Sequence, residues 1–479
     1  MEAMVPPRTT ARPGRSGRSW VAGSQPERSR VGDAYDSVVP LSRPLRIAMV
    51  SMHTSPLDAP GSGDAGGMNV VERHTAEALA ELGHTVDLIT RRSDPSQPDL
   101  VDLGGGVSVR HLDAGPAEHL AKSAIDAYVD EFAVAMGALD PYDIIHSHHW
   151  MSGMAALPLA RQWGVPHVQS YHSVAALPGD YLSEGEPPES PARVAGESFL
   201  AVESDLVVAI SAAEARTVVT RCGADPNRVV IVPPGVDAQM FRPRANDEAK
   251  WTWPHERGPA CSKGYMLFAG RLQPLKGPDL AIAALAQVPE ELRPHLVVAG
   301  EVSKDFAGYA DELAATVDRL GLEQYVTFMG SQSRGSLAEM MRGALLVLVP
   351  SHSETFGLVA LESAASATPV IASSAGGLRE AVVHGETGQL MDSRVPHDWA
   401  SAMIRLLADP DLLARMGTVA RIHARQYSWH HTARCLTEVY AQLLDARDGS
   451  YDQGTRPLDL PPDLETRTRN GDFHADGHV

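Results

Sequence analysis

The amino-acid sequence predicts an α/β fold in which two parallel β-sheet domains face a central cleft. Three observations support this. Short apolar runs alternate with amphipathic helical segments, which is the pattern of parallel βαβ units. The pattern runs as two series, separated near residues 244–263 by a segment rich in Trp, Pro and charged residues. A chain of 479 residues with 43% hydrophobic content is also long enough to bury two cores.

The first series begins with the clearest unit. Residues 44–53 read PLRIAMVSMH and predict a buried strand, which a glycine-rich loop follows. Residues 69–82 have helical periodicity, Gly83 is placed to end that helix, and the run HTVDLIT predicts the next strand. Ser211 and Glu214 have the spacing of a capping box and predict the start of a later helix. The remaining strand candidates are the runs YDIIHSH, PHVQSYH, DLVVAIS and RVVIVPP.

The second series contains the strand candidates YMLFAGRL, HLVVAGE, YVTFMG, LLVLVPS and PVIAS, separated by helical segments. We therefore predict one domain over 44–243 and another over 244–428. A last helical pattern over 429–447 packs on the second domain or crosses back to the first. The ends, 1–43 and 448–479, are rich in polar residues and proline and are predicted to be disordered.

Composition excludes several classes of protein. A formal net charge of −19 disfavours binding to nucleic acid or anionic lipid, because both attract clustered Lys and Arg. The three cysteines are far apart, which disfavours a disulfide framework or a zinc knuckle. No run approaches the roughly 18–20 apolar residues of a membrane span, and the start lacks the apolar segment of a signal peptide. We therefore expect a cytoplasmic protein without integral membrane contact.

The loop after the first predicted strand is a candidate phosphate site. It reads APGSGDAGGMN and ends where a helix is predicted to begin. Glycines allow close backbone approach and leave amide groups free to bind an anion at a helix N-terminus. The loop has neither the Walker ending nor the GxGxxG dinucleotide pattern, so a plain turn remains the alternative interpretation.

Two cations follow the first strand of the second series. Arg271 and Lys276 bracket one loop at the predicted carboxyl end of that strand, where ligands bind in open α/β sheets. A guanidinium and an ammonium together suit a diphosphate, whose charge rises as a bond to it breaks. The alternative is that both side chains are solvated on the surface.

Glu354 and Glu362 form the strongest spacing in the sequence. They stand eight residues apart between a buried strand and a helix predicted to start near Phe356, and they are placed to line one wall of a pocket. One carboxylate would contact a sugar and the other a ribose. An exposed helix face is the alternative, although Glu362 lies among Leu, Val and Ala, where an unpaired charge is costly.

A group of histidines follows the strand YDIIHSH. Alternation along a strand sends His146 and His148 to one face and His149 to the other, and no carboxylate or thiol completes a set of metal ligands, so we disfavour zinc. His172 ends the next strand and is better placed to act in a cleft. A hydrogen-bonded structural histidine is the equal alternative for that residue.

The motifs GGMN, GRLQPLKG, PPGVD and Glu354-x7-Glu362 resemble those of the retaining GT-B glycosyltransferases, over roughly residues 45–445. Within that family, RIAMVSMHTSPL, GDAGGMNV, GRLQPLKGP and SETFGLVALE resemble the branch that acts on inositol 3-phosphate at the start of mycothiol biosynthesis in actinobacteria. This resemblance implies two Rossmann-like domains. It also implies transfer of N-acetylglucosamine from UDP-N-acetylglucosamine to 1D-myo-inositol 3-phosphate, with retention at the anomeric carbon.

The resemblance also implies a set of site residues. Donor contacts fall on Ala59, Pro60, Gly67, Arg271, Lys276, Met329, Glu354 and Glu362. Together with the positions of these residues after the strands, this leads us to assign catalysis to Arg271, Lys276, Glu354 and His172. Acceptor contacts fall on His53, Asp64, Ala65, Gly66, Gly67, Met68, Asn69, Lys122, His149, Ser173 and Arg193. No cofactor is required for the chemistry. A structural Mg²⁺ is implied near main-chain oxygens of Met341, Arg342, Ala344 and Thr368.

Two other enzyme functions remain open. Family members usually carry Tyr at the position of His149 and Thr at that of Ser173, so a related enzyme with another sugar nucleotide or acceptor is one alternative. A nonhydrolysing UDP-sugar epimerase shares the two-domain shape and is the other. Whether the chain forms a homodimer is also open.

Overall fold

The computed structural model describes most of the chain between the two ends. The described residues are 43–58, 60, 65–175, 190–245, 248, 263–302 and 306–447. Residues 1–42 and 448–479, which carry nearly all of the predicted disorder, lie outside them, as do the predicted site residues Ala59 and Asp64. No described helix is long and apolar enough to cross a bilayer.

The first sheet has eight strands in the order β3-β4-β2-β1-β5-β6-β7-β8 within the described part of the chain. The strands are β1 Arg46–Val50, β2 Thr85–Arg91, β3 Leu100–Gly104, β4 Val107–Leu112, β5 Ile144–His148, β6 His167–Ser170, β7 Leu206–Ala209 and β8 Val229–Ile231. Its helices are α1 Gly67–Glu81, α2 Lys122–Ile125, α3 Val129–Met136, α4 Trp150–Trp163, α5 Pro191–Glu203 and α6 Ala212–Thr217.

The second sheet has six strands in the order β11-β10-β9-β12-β13-β14, again counted over the described residues. They are β9 Tyr265–Ala269, β10 His295–Ala299, β11 Val326–Phe328, β12 Leu346–Val349, β13 Val370–Ser373 and β14 Gly388–Met391. The helices that follow the first sheet are α7 Pro278–Ala286, α8 Tyr309–Arg319, α9 Arg334–Gly343, α10 Leu358–Ala365, α11 Leu378–Ala381, α12 Pro396–Leu407, α13 Pro410–Ala424 and α14 Trp429–Arg447.

The predicted α/β class with two parallel sheets is correct, with one exception at the edge of the first sheet. Strand β3 runs antiparallel to β4, and three glycines with positive φ join the two strands. This hairpin was not predicted from the sequence, although alternating apolar residues around a glycine turn are its usual signal.

Helix α1 starts at Gly67, two residues before the predicted start, because the loop in front of it is fixed by a side chain. The Gly66 amide donates to Asn69 Oδ1 at 2.9 Å, and Asn69 Nδ2 donates to Thr54 Oγ1 at 2.9 Å. Gly83 has φ +96° and follows the last turn, as predicted. The helix N-terminus is thereby held against the loop that follows β1.

The last helix, α14, packs against α1 and so returns to the first sheet. Tyr440 is fully buried in the same apolar cluster as Leu79, and Thr437 Oγ1 lies 3.2 Å from His84 Nε2. The chain therefore crosses between the sheets twice. The two crossings touch where the Val236 amide donates to the Tyr427 carbonyl at 3.2 Å.

Candidate functional site

A cavity of about 300 Å³ lies at the carboxyl ends of the strands of both sheets. Residues after β1, β5, β6 and β7 form one side of it, and residues after β9, β10 and β12 form the other. This is the location at which open α/β sheets bind ligands. Most predicted site residues line it: His53, Pro60, Gly66, Gly67, Met68, Asn69, Lys122, His149, His172, Ser173, Arg271, Lys276, Glu354 and Glu362.

Three predicted contact residues do not line this cavity. Ala65 is buried beside the glycine turn, with 2% of its surface exposed. The Met329 amide donates to Val298 in the sheet, and the Met329 carbonyl accepts from Gln332 Nε2 at 2.8 Å. Gln332, which the sequence analysis did not identify, lines the cavity in its place. Arg193 is the third predicted contact residue that does not line the cavity, and its contacts are described below.

Lys276 and Glu354 form an ion pair on the second-sheet side of the cavity. Lys276 Nζ lies 2.6 Å from Glu354 Oε1, and the Ser351 hydroxyl donates to the same oxygen at 2.9 Å. Gly277, which follows the lysine, has φ +66°, and a Cβ there would lie 2.3 Å from the Pro350 carbonyl oxygen. Only glycine fits that turn without a shift, so the backbone that aims Lys276 is fixed.

Arg271 reaches across the cavity to the first sheet. A Cβ on Gly66 would lie 3.6 Å from Arg271 Nε, so the guanidinium lies against the glycine turn. Lys276 therefore lies beside Glu354, and Arg271 lies beside the glycine turn.

Glu362 is nearly fully buried, with 3% of its surface exposed. Its carboxylate forms an ion pair with Arg334, the first residue of α9. The Arg334 guanidinium also lies 4.7 Å above the ring of Phe241. The apolar neighbours of Glu362 in the sequence indicate that its charge needs a partner, but they do not identify Arg334, because the two residues lie on different helices.

His53 and His149 lie next to each other on the first-sheet side of the cavity. Their ring centroids lie 4.3 Å apart, and His149 has φ +70° where it precedes α4. Burial lowers the pKa of both imidazoles well below the ordinary value, and the charge of Lys122 lowers it further. Both rings are therefore neutral near pH 7, and the cations beside them make this side of the cavity suited to an anion.

Arg193 does not open onto the cavity as its predicted role would require. It is 8% exposed, and its Nε donates to Glu197 Oε1 at 2.8 Å. Its Nη2 donates to the Ser173 hydroxyl oxygen at 3.0 Å and to the Ser173 carbonyl at 3.1 Å. In this geometry Arg193 fixes Ser173 and contributes positive charge at short range.

His172 meets both sequence interpretations at once, because it lines the cavity and is hydrogen-bonded. Its Nε2 lies 2.7 Å from His148 Nδ1, and its carbonyl accepts from Thr355 Oγ1 at 2.5 Å. Burial lowers its pKa to about 4, so the ring is neutral at pH 7. Thr355 belongs to the second-sheet side, so His172 is a direct contact between the two halves of the site.

The residues implied for Mg²⁺ lie close together but away from the cavity. The Met341 carbonyl accepts from Thr368 Oγ1 at 2.7 Å and from the Ala344 amide at 3.2 Å. Arg342 donates to the Met240 carbonyl at 2.9 Å. Mg²⁺ is usually held through one or two carboxylates, and none belongs to this set. The hydrogen bonding therefore does not support the predicted magnesium site.

Comparison with known proteins agrees with this architecture. Residues 66–235 match the family model described as "Glycosyl transferase 4-like domain", and residues 249–423 match "Glycosyl transferases group 1". Among solved structures, sucrose-phosphate synthase from Thermosynechococcus elongatus superimposes with a TM-score of 0.77 at 30% identity, over 84% of this chain and 100% of that one. Anabaena Alr3699/HepE in complex with UDP-glucose superimposes with a TM-score of 0.63 at 19% identity, over 82% and 99% of the chains.

Curated relatives match at higher identity. The D-inositol 3-phosphate glycosyltransferase of Thermobispora bispora is 41% identical over 412 residues, which cover 84% of this chain and 95% of the relative. The protein of the same name from Stackebrandtia nassauensis is 40% identical, over 84% of this chain and 93% of the relative. With this identity over most of its length, the chain is a GT-B glycosyltransferase and belongs to the D-inositol 3-phosphate glycosyltransferase family.

Proposed function

We propose that this enzyme transfers N-acetylglucosamine from UDP-N-acetylglucosamine to 1D-myo-inositol 3-phosphate, with retention at the anomeric carbon, as the first step of mycothiol biosynthesis. The observation that carries the proposal is the placement of cations on opposite sides of one cavity. Arg271 and Lys276 lie on the second-sheet side, and Lys122 lies on the first-sheet side with the two histidines. One cavity can therefore hold a nucleotide diphosphate and a phosphorylated alcohol together.

On the donor side, the charges suit a leaving diphosphate. Lys276 is held by Glu354, and Arg271 lies at the glycine turn, where the start of α1 presents amide groups. As the glycosidic bond breaks, negative charge grows on the diphosphate, and fixed cations stabilise that charge more than they stabilise the ground state. We assign Glu354 to the sugar and Glu362, with Arg334, to the ribose.

On the acceptor side, Lys122 binds the inositol phosphate. His53 and His149 each present a neutral imidazole to the same region, where an N–H group can donate to a phosphate oxygen. Ser173 is held in place by Arg193 and donates to an acceptor oxygen. In this proposal Arg193 acts on the acceptor mainly by holding Ser173 in place, because its own charge is paired with Glu197.

Retention is explained by transfer on one face of the sugar. The departing diphosphate accepts the proton of the acceptor hydroxyl while Arg271 and Lys276 stabilise the diphosphate, so the enzyme supplies no base. His172 is neutral and bonded to His148, which suits a residue that shapes the site rather than one that gains a proton. The first-sheet domain, 44–243, then binds the acceptor, and the second, 244–428, binds the donor in a reducing cytoplasm.

The decisive experiment is incubation of the enzyme with UDP-N-acetylglucosamine and inositol 3-phosphate, followed by NMR. We expect an α-linked product, with UDP released only when the acceptor is present. Conversion of the nucleotide sugar without any acceptor would favour an epimerase instead. Turnover of a different sugar nucleotide or polyol phosphate, with none of this pair, would favour a related transferase.

A further inference from the structure

The carbonyl oxygen of Pro350 lies where two loops of the reaction cavity meet. Lys276 follows β9, Glu354 follows β12, and their side chains form an ion pair. A Cβ on Gly277 would lie 2.3 Å from the Pro350 oxygen, so this oxygen packs directly against the residue after Lys276. Pro350 is also followed by Ser351, whose hydroxyl donates to the Glu354 carboxylate. The position of this one oxygen therefore affects both members of the ion pair.

A third segment of the second-sheet half contacts the same oxygen. Arg394 lies between β14 and α12, and its Nη1 donates to the Pro350 carbonyl oxygen at 2.7 Å. A Cβ on Gly277 would lie 2.9 Å from Arg394 Nη2, so the guanidinium lies against both loops. Arg394 does not line the reaction cavity. Its contact with the site therefore runs through the two loops.

We propose that Arg394 is a positioning residue for the donor diphosphate, because it holds the Lys276 loop against the Glu354 loop and so fixes where the Lys276 ammonium points. The inference rests on the proposed role of Lys276 at the diphosphate. It extends that role to a residue outside the cavity.

The bond from Arg394 is stronger than a bond between two backbone groups. The two loops are also joined by the His352 amide, which donates to the Leu275 carbonyl at 2.8 Å. A hydrogen bond from an ionised donor is roughly twice as strong as such a neutral bond. Arg394 supplies the ionised donor where Gly277 and Pro350 are in close contact. Without it, the two loops lose a strong link at that point.

The backbone that carries Arg394 is anchored in the core. Trp399 is fully buried among the apolar residues of the second sheet, and its indole Nε1 donates to the Ser393 carbonyl at 2.7 Å. The Ser393 hydroxyl accepts from the Val395 amide at 3.0 Å. These bonds hold the residues on either side of Arg394. The guanidinium is thus attached to a firm support.

Fixing the lysine matters because its side chain is flexible. The Lys276 ammonium ends a flexible four-carbon stem, so its place is set by the backbone of its loop and by Glu354 at the far end. A displacement of about 1 Å in an active site can cost roughly 10²-fold in rate. If the two loops separate, the ammonium must leave either Glu354 or the diphosphate. Arg394 opposes that separation.

Titration calorimetry with UDP tests the role of Arg394, because UDP carries the diphosphate and needs no acceptor. Arg394→Met removes the hydrogen-bond donor and keeps most of the length of the side chain. We expect this variant to bind UDP about tenfold more weakly than the wild type. Arg405→Met is the matched control, because Arg405 is an exposed arginine of α12 that donates to Gln389 and does not line the cavity. It should bind UDP as the wild type does.

A double-variant cycle with Lys276→Ala separates positioning from a general loss of structure. If Arg394 acts through Lys276, its removal has little left to disturb once the ammonium is gone. We therefore expect Arg394→Met to weaken UDP binding less than about twofold in the Lys276→Ala background. An equal tenfold loss in both backgrounds would overturn the proposal, because Arg394 would then act independently of the lysine.

A conservative replacement and steady-state kinetics provide two further readouts. Arg394→Lys keeps a cationic donor for the Pro350 carbonyl and should bind UDP within about threefold of the wild type. In Arg394→Met, kcat should fall about tenfold and the KM for the acceptor should change less than about twofold, because Lys122 and the histidines lie on the first-sheet side. A rise in acceptor KM with unchanged kcat would contradict an action through the donor side.

These measurements distinguish the inference from the proposed function. If the wild type binds UDP but does not turn over inositol 3-phosphate, the acceptor assignment fails, and the UDP titrations still decide the role of Arg394. If the wild type binds no UDP, both proposals fail. Should circular dichroism show that Arg394→Met does not fold, Gly277→Ala tests the same contact, because its Cβ would displace the Pro350 oxygen and should also weaken UDP binding. Unchanged UDP affinity in whichever of these two variants folds would overturn the proposal.

Discussion

Lys276 Nζ donates to Glu354 Oε1 across 2.6 Å, so the ammonium is held in place by a carboxylate before any ligand binds. The loop that carries Glu354 is itself constrained. Gly376 has φ +51°, and a Cβ at that position would lie 2.0 Å from the Glu354 carbonyl oxygen. The cation is therefore preorganised, which is the condition for electrostatic stabilisation of a leaving group.

Replacing Lys276 should affect catalysis far more than folding. Lys276→Ala is expected to lower kcat by about 10²–10³-fold, by analogy with the loss of one charge-stabilising group in an active site. Steady-state kinetics and circular dichroism check this result. Lys263→Ala is the matched control, because Lys263 does not line the cavity and donates instead to the Glu290 carbonyl. Turnover of Lys276→Ala within twofold of wild type would contradict the assigned role.

Removing the charge of Glu362 should reduce stability. Glu362→Gln leaves the Arg334 guanidinium without its anionic partner and is expected to lower the free energy of unfolding by about 2 kcal/mol. Urea denaturation measures this change. Arg334→Met and the double variant complete a cycle, and the double variant should be more stable than the sum of the single changes predicts. Strict additivity would show that the pair contributes no coupling energy.

Stability should depend on pH through histidines that are buried in the neutral form. Burial lowers the pKa of His167 to about 3, and this residue is fully enclosed. The unfolded chain binds the proton below about pH 6.5 whereas the folded chain does not, so stability is lost as pH falls. This histidine should account for a loss of about 1.4 kcal/mol at pH 5.5.

Guanidinium unfolding at pH 7.5 and 5.5 tests that contribution. In His167→Gln, the stability difference between the two pH values should be smaller than in the wild type by about 1.4 kcal/mol. Replacing the exposed His430 with Gln is the control and should leave the difference as it is. If the free energy of unfolding depends on pH in the same way in His167→Gln and in the wild type, protonation of His167 does not contribute to the loss of stability.

Glu380 should stabilise contact between the two halves of the molecule. It lies on α11 of the second sheet, and its Oε1 accepts from the amides of Ala212 at 2.9 Å and Ala213 at 3.4 Å, at the start of α6. Glu380→Ala removes this helix cap, which is typically worth about 1 kcal/mol, and should increase the radius of gyration in small-angle X-ray scattering. Glu380→Gln keeps an acceptor oxygen and should change the radius less. Equal radii of gyration for the wild type, Glu380→Ala and Glu380→Gln would show that this contact does not hold the two halves of the molecule together.

The parts of the fold that the sequence predicted are those with strong local patterns. The strands in the core of each sheet are short apolar runs, and the helix at Ser211 begins as predicted because the Ser211 hydroxyl accepts from the Glu214 amide at 3.0 Å. Strands β3, β4 and β14 were missed, whereas the edge strands β8 and β11 were among the predicted runs. Strand β3 alternates between exposed and half-buried residues, and β14 is only half buried after its first residue, so neither produces a continuous apolar run.

Some site residues could be predicted from the sequence and others could not, because only the former are marked by a local pattern. Residues that follow a strand, such as Arg271 and His172, could be placed from position alone, since the carboxyl ends of parallel strands form one edge. Ion pairs between residues that are distant in the sequence could not be predicted in this way. Arg334 stands 28 residues from Glu362, and nothing local marks it as the partner. Arg193 was expected to face a ligand, but its charge is already paired with Glu197 one helical turn away.

The hydrogen bond between Val236 and Tyr427 has a mechanical consequence. Both connections between the sheets pass through this point, and a Cβ on the neighbouring Gly235 would lie 2.2 Å from the Trp429 amide nitrogen. Because the two connections are bonded to each other here, any change in the relative orientation of the two sheets must be accommodated at or near this point. A side chain at position 235 would clash with the backbone of Trp429 and force the two connections apart, so a residue outside the reaction cavity limits how the two sheets are held together.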